Sequence, residues 1–199
     1  MLTANKILKE YNKGNITIKP FNKSLLNPNS YNVRLQDTLK VYRDRIDSMS
    51  NNTNYETVKI PKEGYILRPG ILYIGATKEV IGSDKYISAI DGRSSIGRLG
   101  IQIHSTAGFG DIGFTGTYTL EISVIVPVTI YPDIVIGQVY FQKPNGKVDF
   151  LYHGRYQGQI DPTESRLYDN NVSEKYFYNP KDDDVQITPA SILFTDEDE

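Results

Sequence analysis

Residues 91–100 read Asp91-Gly-Arg-Ser-Ser-Ile-Gly-Arg-Leu-Gly100 and join two β-like runs. From Gly92 to Arg98 every residue except Ile96 is Gly, Ser or Arg. Gly92 lets the chain turn sharply, Ser94 or Ser95 can cap a short helical turn, and Gly100 can end it. Arg93 and Arg98 bring forked donors, so guanidinium groups, hydroxyls and free backbone amides would converge on an anion such as a polyphosphate. Taken alone, such a segment reads first as a surface turn with two solvated arginines; here further residues converge with it.

A second candidate group follows in His104-Ser-Thr-Ala-Gly-Phe-Gly-Asp-Ile-Gly-Phe-Thr-Gly116 and Tyr118-Thr-Leu-Glu-Ile122. Strand alternation puts Leu120 on one face and Thr119 and Glu121 on the other. If the strand runs on, apolar Ile125 shares the face of Glu121 and partly buries it. A half-buried carboxylate has a raised pKa and suits general-base work, whereas an ordinary exposed strand glutamate does not. Asp111 sits in a glycine-spaced loop where turn-forming Asp is common. His104 follows an Ile-Gln-Ile alternation and reads as a packed histidine rather than a ligand. Further on, Tyr152-His-Gly-Arg-Tyr-Gln-Gly-Gln159 and Ser165-Arg166 supply tyrosines, arginine and glutamine on a glycine-containing backbone. That segment is a lid over a nucleotide or a bland polar arm.

The elements that must hold these residues are mostly strands. Thr3 can cap a first helix with Ile7, Leu8 and Tyr11 on one face and Gly14 at its end. Residues 22–30 are turn formers. Strand-like runs then recur at Tyr31–Leu35, Leu39–Tyr42, Tyr55–Ile60, Ile71–Gly75 and Tyr86–Ile90. The later ones are Ile101–His104, Gly116–Val126, Val128–Ile130, Val135–Phe141 and Val148–Leu151, with regular Gly, Pro and Asn punctuation. Residues 47–54 carry little to bury beyond Met49 and read as a mobile surface loop. The pattern predicts a mainly β chain: a barrel or sandwich, with jelly-roll topology. Residues 1–151 are expected to form one β domain, and residues 152–199 a C-terminal arm with an acidic tail.

Composition narrows the chemistry. A chain of 199 residues is roughly one domain. It has no cysteine, which removes disulfides, thiolate nucleophiles and Cys-containing zinc sites. His104 and His153 are its two histidines, too few for a multi-His centre. A net charge of −2 argues against nucleic acid or an anionic membrane as partner. The polar start and the absence of a run of about 18 apolar residues lead to the expectation of a soluble, cytoplasmic protein.

Taken together, these segments resemble the dCTP deaminase branch of the deoxyuridine triphosphatase (dUTPase) superfamily. The resemblance runs from the N-terminal helix to about Arg166. It rests on Gly92–Gly100, His104–Asp111, Thr119-Leu-Glu121, Ile136-Gly-Gln138 and Tyr156-Gln-Gly-Gln159 with Ser165-Arg166. Ser30-Tyr-Asn-Val-Arg-Leu35 is similar to the first motif of the family. The resemblance implies a distorted jelly roll of the dUTPase-like kind, a homotrimer, and active sites shared between neighbouring subunits. Glu121 falls on the catalytic glutamate, with Ser94 and Arg98 close to the reacting base. Arg93, Ser94, Ser95, Ile96, Gly97 and Arg98 match the triphosphate loop, and Asp111 the deoxyribose contact. Backbone groups of Thr119 and Leu120 would read the pyrimidine edge, and Gln138 matches a further nucleotide contact. Tyr152, Arg155 and Gln159 match a phosphate-binding arm.

The implied chemistry is hydrolytic loss of the 4-amino group. Many deaminases perform it with zinc held by His and Cys; without cysteine, a zinc-free route through Glu121 is expected. Mg²⁺ would come bound to the triphosphate, and dTTP is a candidate inhibitor. The family has two outcomes, one stopping at dUTP and one continuing to dUMP and pyrophosphate. Gly108, Phe109 and Asp111, with Gln138, look more like the two-step type. An enzyme acting on dUTP alone needs no Glu121, and a nucleotide-sensing jelly roll without turnover needs no Glu121, Ser94 and Arg98 set. Four positions depart from the family pattern: Gly110 where an aliphatic residue is usual, Asn32 for Asp, Arg155 for Lys, and Val124 for Asn. Gly110 is expected to loosen the Asp111 loop, and Gly110→Ile to tighten it.

Overall fold

The computed structural model describes residues 1–48, 50 and 54–167. Met49 of the expected mobile loop, and the tail beyond Leu167, lie outside the described residues. Among the described residues, 1–46 and 54–165 form one compact unit, and residues 47, 48, 50, 166 and 167 fall in a second. In the second, the Ser50 amide donates to the Asp47 carbonyl across a turn.

The chain opens with helix α1 (Ala4–Asn12), which buries Ile7 and Glu10. Thr3 stands at its N-cap position, as expected, but its side chain makes no capping hydrogen bond. Strands β1 (Thr17–Lys19), β2 (Tyr31–Arg34), β3 (Thr38–Tyr42), β4 (Tyr55–Lys59) and β5 (Tyr65–Leu67) follow. The long β6 (Tyr73–Gly82) leads to β7 (Ile87–Gly92), a single helical turn α2 (Ser94–Gly97), and the short β8 (Ile101–Gln102) and β9 (Phe109–Gly110). β10 (Thr115–Val124), β11 (Val128–Ile130) and β12 (Val135–Gln142) complete the set.

Three antiparallel sheets result. The largest runs β4-β3-β6-β10-β8, with β1 also paired to β6; a second runs β2-β12-β7-β9, and β11 pairs with β5. One core joins the two larger sheets: Leu39, Ile81, Leu120 and Ile122 from the first meet Val33, Ile90 and Val139 from the second. This is the expected mainly β, jelly-roll-like arrangement, with open sheets rather than a closed barrel.

β6 is twice as long as the apolar run Ile71–Gly75 suggests, because its polar residues are satisfied from elsewhere. Thr77 and Glu79 are fully buried. The Glu79 carboxylate accepts from the Arg34 amide (2.8 Å) and Arg34 Nε (2.7 Å). Thr77 Oγ1 accepts from the Tyr118 amide (2.9 Å) and donates to the Glu79 carbonyl (2.8 Å). Buried polar groups persist only when paired in this way. Two other expectations are corrected. Residues 148–151 form no strand, and Phe150 is exposed. β10 ends at Val124, leaving Ile125 and Val126 exposed beyond it.

Candidate active site

β10 carries two of the candidate residues and sorts them by alternation, which continues past a register shift against β6 between Thr117 and Thr119. Tyr118, Leu120, Ile122 and Val124 are buried, while Thr119 and Glu121 face a cavity of about 630 Å³ that Tyr118 also lines. That volume suits a nucleotide-sized ligand. Glu121 lies opposite Ile74 on β6, and Leu72 and Ile74 form the apolar wall beside it. The expected burial of Glu121 is therefore real, but its source is Ile74 and Leu72 and not Ile125. Burial pushes the Glu121 carboxyl above its usual range; its own backbone amide and the nearby His104 ring pull it down by less.

The edge of β10 away from β6 is also a resource. The Thr117 amide donates to the Gln159 carbonyl on that side, and the Ile125 amide to the Gly100 carbonyl. Alternation therefore puts the backbone groups of Thr119 and Glu121 on the same edge, and turns those of Leu120 toward β6.

Asp111 reaches the cavity from β9, which pairs with β7 through Ser88↔Gly110 and Ala89↔Phe109. Phe109, Gly110 and Asp111 all line it. The loop is tightly seated. A Cβ on Gly108 would come within 2.5 Å of the Ile90 carbonyl and 2.7 Å of the His104 ring. A Cβ on Gly110 would lie 1.8 Å from the Tyr118 hydroxyl and 2.9 Å from the Ser88 carbonyl. Gly110 thus does not loosen the loop, and Gly110→Ile would drive it off its seat instead of tightening it. His104 is packed, as expected: Nε2 donates to the Ile90 carbonyl at 3.1 Å, and Nδ1 is buried without a partner.

Residues 152–164 of the C-terminal arm are docked rather than loose. The Tyr152 amide donates to the Ile112 carbonyl (2.8 Å) and the Gly158 amide to the Thr115 carbonyl (2.9 Å). Gln159 Nε2 donates to the Thr117 carbonyl at 2.7 Å, so the arm acts as a short substitute strand along the free edge of β10. Tyr152 and Gln159 line the cavity, and Arg155 sits in the turns of residues 154–158 between them. Lys40 forms an ion pair with Glu164, which holds the arm at that point.

The anion loop sits elsewhere. None of residues 93–98 lines the cavity. α2 starts from extended Arg93 without a side-chain cap, so Ser94 and Ser95 lie inside the first turn instead of capping it. Ser94, Ser95, Gly97 and Arg98 are exposed, Ile96 is buried as the anchor, and Gly100 ends the turn at a φ of 76°. Gln138 stands behind this loop. Its Nε2 donates to the Gly92 carbonyl (3.0 Å) and its Oε1 accepts from Ser30 Oγ (2.8 Å). Asn32 pairs with Asn27 through both side-chain amides (2.8 and 3.3 Å), an exchange that Asp could not make.

Sequence reasoning missed Tyr118 as a site residue. Its inward register was visible, but its partners Gly110 and Ser88 belong to the other sheet. It also missed Phe114, whose ring packs edge-on against Tyr118 (5.3 Å) and Tyr152 (5.9 Å), linking strand, loop and arm.

Known proteins resemble this chain over most of its length. A family model described as dCTP deaminase-like matches residues 1–144. A "dCTP deaminase, dUMP-forming" of Clostridium beijerinckii is 43% identical over 168 residues, covering 84% of this chain and 96% of that protein. One from Clostridium acetobutylicum is 40% identical over 173 residues, covering 87% and 100%. Among solved structures, the 2'-deoxycytidine 5'-triphosphate deaminase of Agrobacterium tumefaciens superposes with a TM-score of 0.58 at 20% identity. That superposition covers 72% of this chain and 48% of the other, and at such identity it speaks for the fold. With the family model spanning both the Glu121 strand and the Asp111 loop, the chain belongs to the dCTP deaminase-like family.

Proposed function

We propose that this protein deaminates dCTP hydrolytically and then cleaves the product between the α and β phosphates. Water and dCTP give dUTP and ammonia; water and dUTP give dUMP and pyrophosphate. The observation that carries the reading is Glu121, a half-buried carboxyl of raised pKa on the cavity face of β10, in one cavity with Asp111. In the first step Glu121 takes a proton from water as the oxygen adds to C4. The carboxyl passes that proton to ring N3, then takes the second one from the new C4 hydroxyl and gives it to the amino group, which leaves as ammonia while C4 becomes a carbonyl; a raised pKa suits this shuttle. Backbone groups of Thr119 on the free strand edge read the pyrimidine, and Asp111 holds the sugar and then serves the second step. Gln138 acts on the nucleotide through the loop it braces at Gly92.

The cavity lining contains Asp111, Glu121 and Glu164 but, among the described residues, no Lys or Arg. A triphosphate bound there needs cations. We assign them to Arg155 of the arm, with Tyr152 and Gln159 as uncharged donors beside it, and to Arg93 and Arg98 of the 93–98 loop of a neighbouring copy in a homotrimer, whose Ser94 and Arg98 orient the water. Exposed Leu99, Ile125 and Val126 beside α2 suit burial between copies. Among the described residues no three His, Asp or Glu side chains cluster; Mg²⁺ carried on the substrate phosphates needs few protein ligands. dTTP, with the same triphosphate and no 4-amino group, fits this site as an inhibitor. The product dUMP places the enzyme in supply of thymidine nucleotide precursors, in the cytoplasm, with residues 152–199 as the closing arm.

Mixed oligomers test the shared site. Glu121→Gln and Arg98→Ala chains, each inactive alone, are dissociated and reassembled together. Random trimers should regain about a quarter of the wild-type sites, since one intact Glu121 then meets one intact Arg98. Activity no higher than the sum of the two parents would contradict it.

A further inference from the structure

We propose that Tyr118 is a positioning residue for pyrophosphate release: its hydroxyl occupies the space a side chain at position 110 would fill and, through Ser88, sets the backbone that carries Asp111. The inference rests on the two-step reading above. Tyr118 and Ser88 are both buried, and their hydroxyls stand 2.6 Å apart. Ser88 pairs directly with Gly110 across β7 and β9. The hydroxyl would lie 1.8 Å, and ring carbon Cζ 2.8 Å, from a Cβ on Gly110, so the loop backbone rests on the phenol itself. Asp111 is the next residue. On its other side the ring meets Phe114, which in turn meets Tyr152 of the arm. The phenol is thus the common support of the Asp111 loop and of the arm's first cavity residue.

Burial pushes the Tyr118 hydroxyl up to about 12, so it stays neutral. Tyr118→Phe therefore removes one hydrogen bond and no charge. The reacting water must sit in line with the α-phosphate, and a shift of about 1 Å in such a group costs up to about 100-fold. Deamination, which depends on Glu121 on the rigid strand, is less exposed to that shift.

The test compares Tyr118→Phe, Tyr118→Leu, Gly110→Ala and the Gly110→Ala/Tyr118→Leu double variant. Each is assayed for ammonia from dCTP, for the ratio of dUTP to dUMP released, and for kcat and KM with added dUTP. Tyr118→Phe and Gly110→Ala should each lower kcat for dUTP by about tenfold or more relative to deamination, so that free dUTP accumulates. In the double variant the shorter Leu makes room for the new methyl group, and the dUMP fraction should rise above that of Gly110→Ala alone. A purely structural role would lower both steps together. Tyr118→Phe with the wild-type product ratio and kcat overturns the inference, as does a double variant no better than Gly110→Ala. Wild-type protein that accumulates dUTP overturns the two-step reading instead, and this inference with it. Tyr118→Phe preserves the ring packing, so the test survives if the bulkier variants fail to fold.

Discussion

Glu121→Gln is expected to lower ammonia release from dCTP by about 10²- to 10⁴-fold, the ordinary value of a positioned general base. The amide keeps the size and the hydrogen-bonding reach of the carboxylate but cannot accept a proton. Binding should persist, because the cavity walls, the Thr119 strand edge and the arm remain. The wild-type rate should also fall on the acid side with an apparent pKa above the usual carboxylate range, since burial against Ile74 and Leu72 raises it. The base form is lost as pH drops through that value, and the variant should lack this limb. Near-normal deamination by Glu121→Gln, measured as ammonia in a stopped time course, would remove Glu121 from the mechanism.

Asp111→Asn should cut pyrophosphate release from added dUTP by a similar factor, about 10²-fold or more, if Asp111 takes the proton from the attacking water. Asp111 directly follows Gly110, the last residue of β9, and lines the cavity. Deamination should weaken too, through loss of the sugar contact, but by less. Phosphate analysis of dUTP turnover reads the effect directly. A variant that still released pyrophosphate at the wild-type rate would transfer this role to another group.

Alternation made β10 legible, and with it the pairing of Thr119 and Glu121 on one face. Glycine and serine punctuation likewise marked α2 as a turn between strands. The extent of β6 was hidden because Thr77 and Glu79 look like an interruption until Arg34 and Tyr118 arrive from distant strands to satisfy them. Gly110 was misread for a related reason. Along the chain a glycine means freedom, but here the space is already filled by a phenol from the opposite sheet. The arm offered no period to read, because glutamine side chains as well as backbone groups make its pairing with β10. The distance between the anion loop and the Glu121 cavity has no signature along the chain, since neither spacing nor periodicity records which strands bring two motifs together.

The most direct measurement is the product balance of the wild-type protein with dCTP and Mg²⁺. Ammonia, dUTP, dUMP and pyrophosphate are quantified over one time course, and added dUTP is assayed separately. The account predicts ammonia, dUMP and pyrophosphate in equal amounts with little free dUTP. Stoichiometric accumulation of dUTP, with added dUTP left intact, or no ammonia at all, would contradict it.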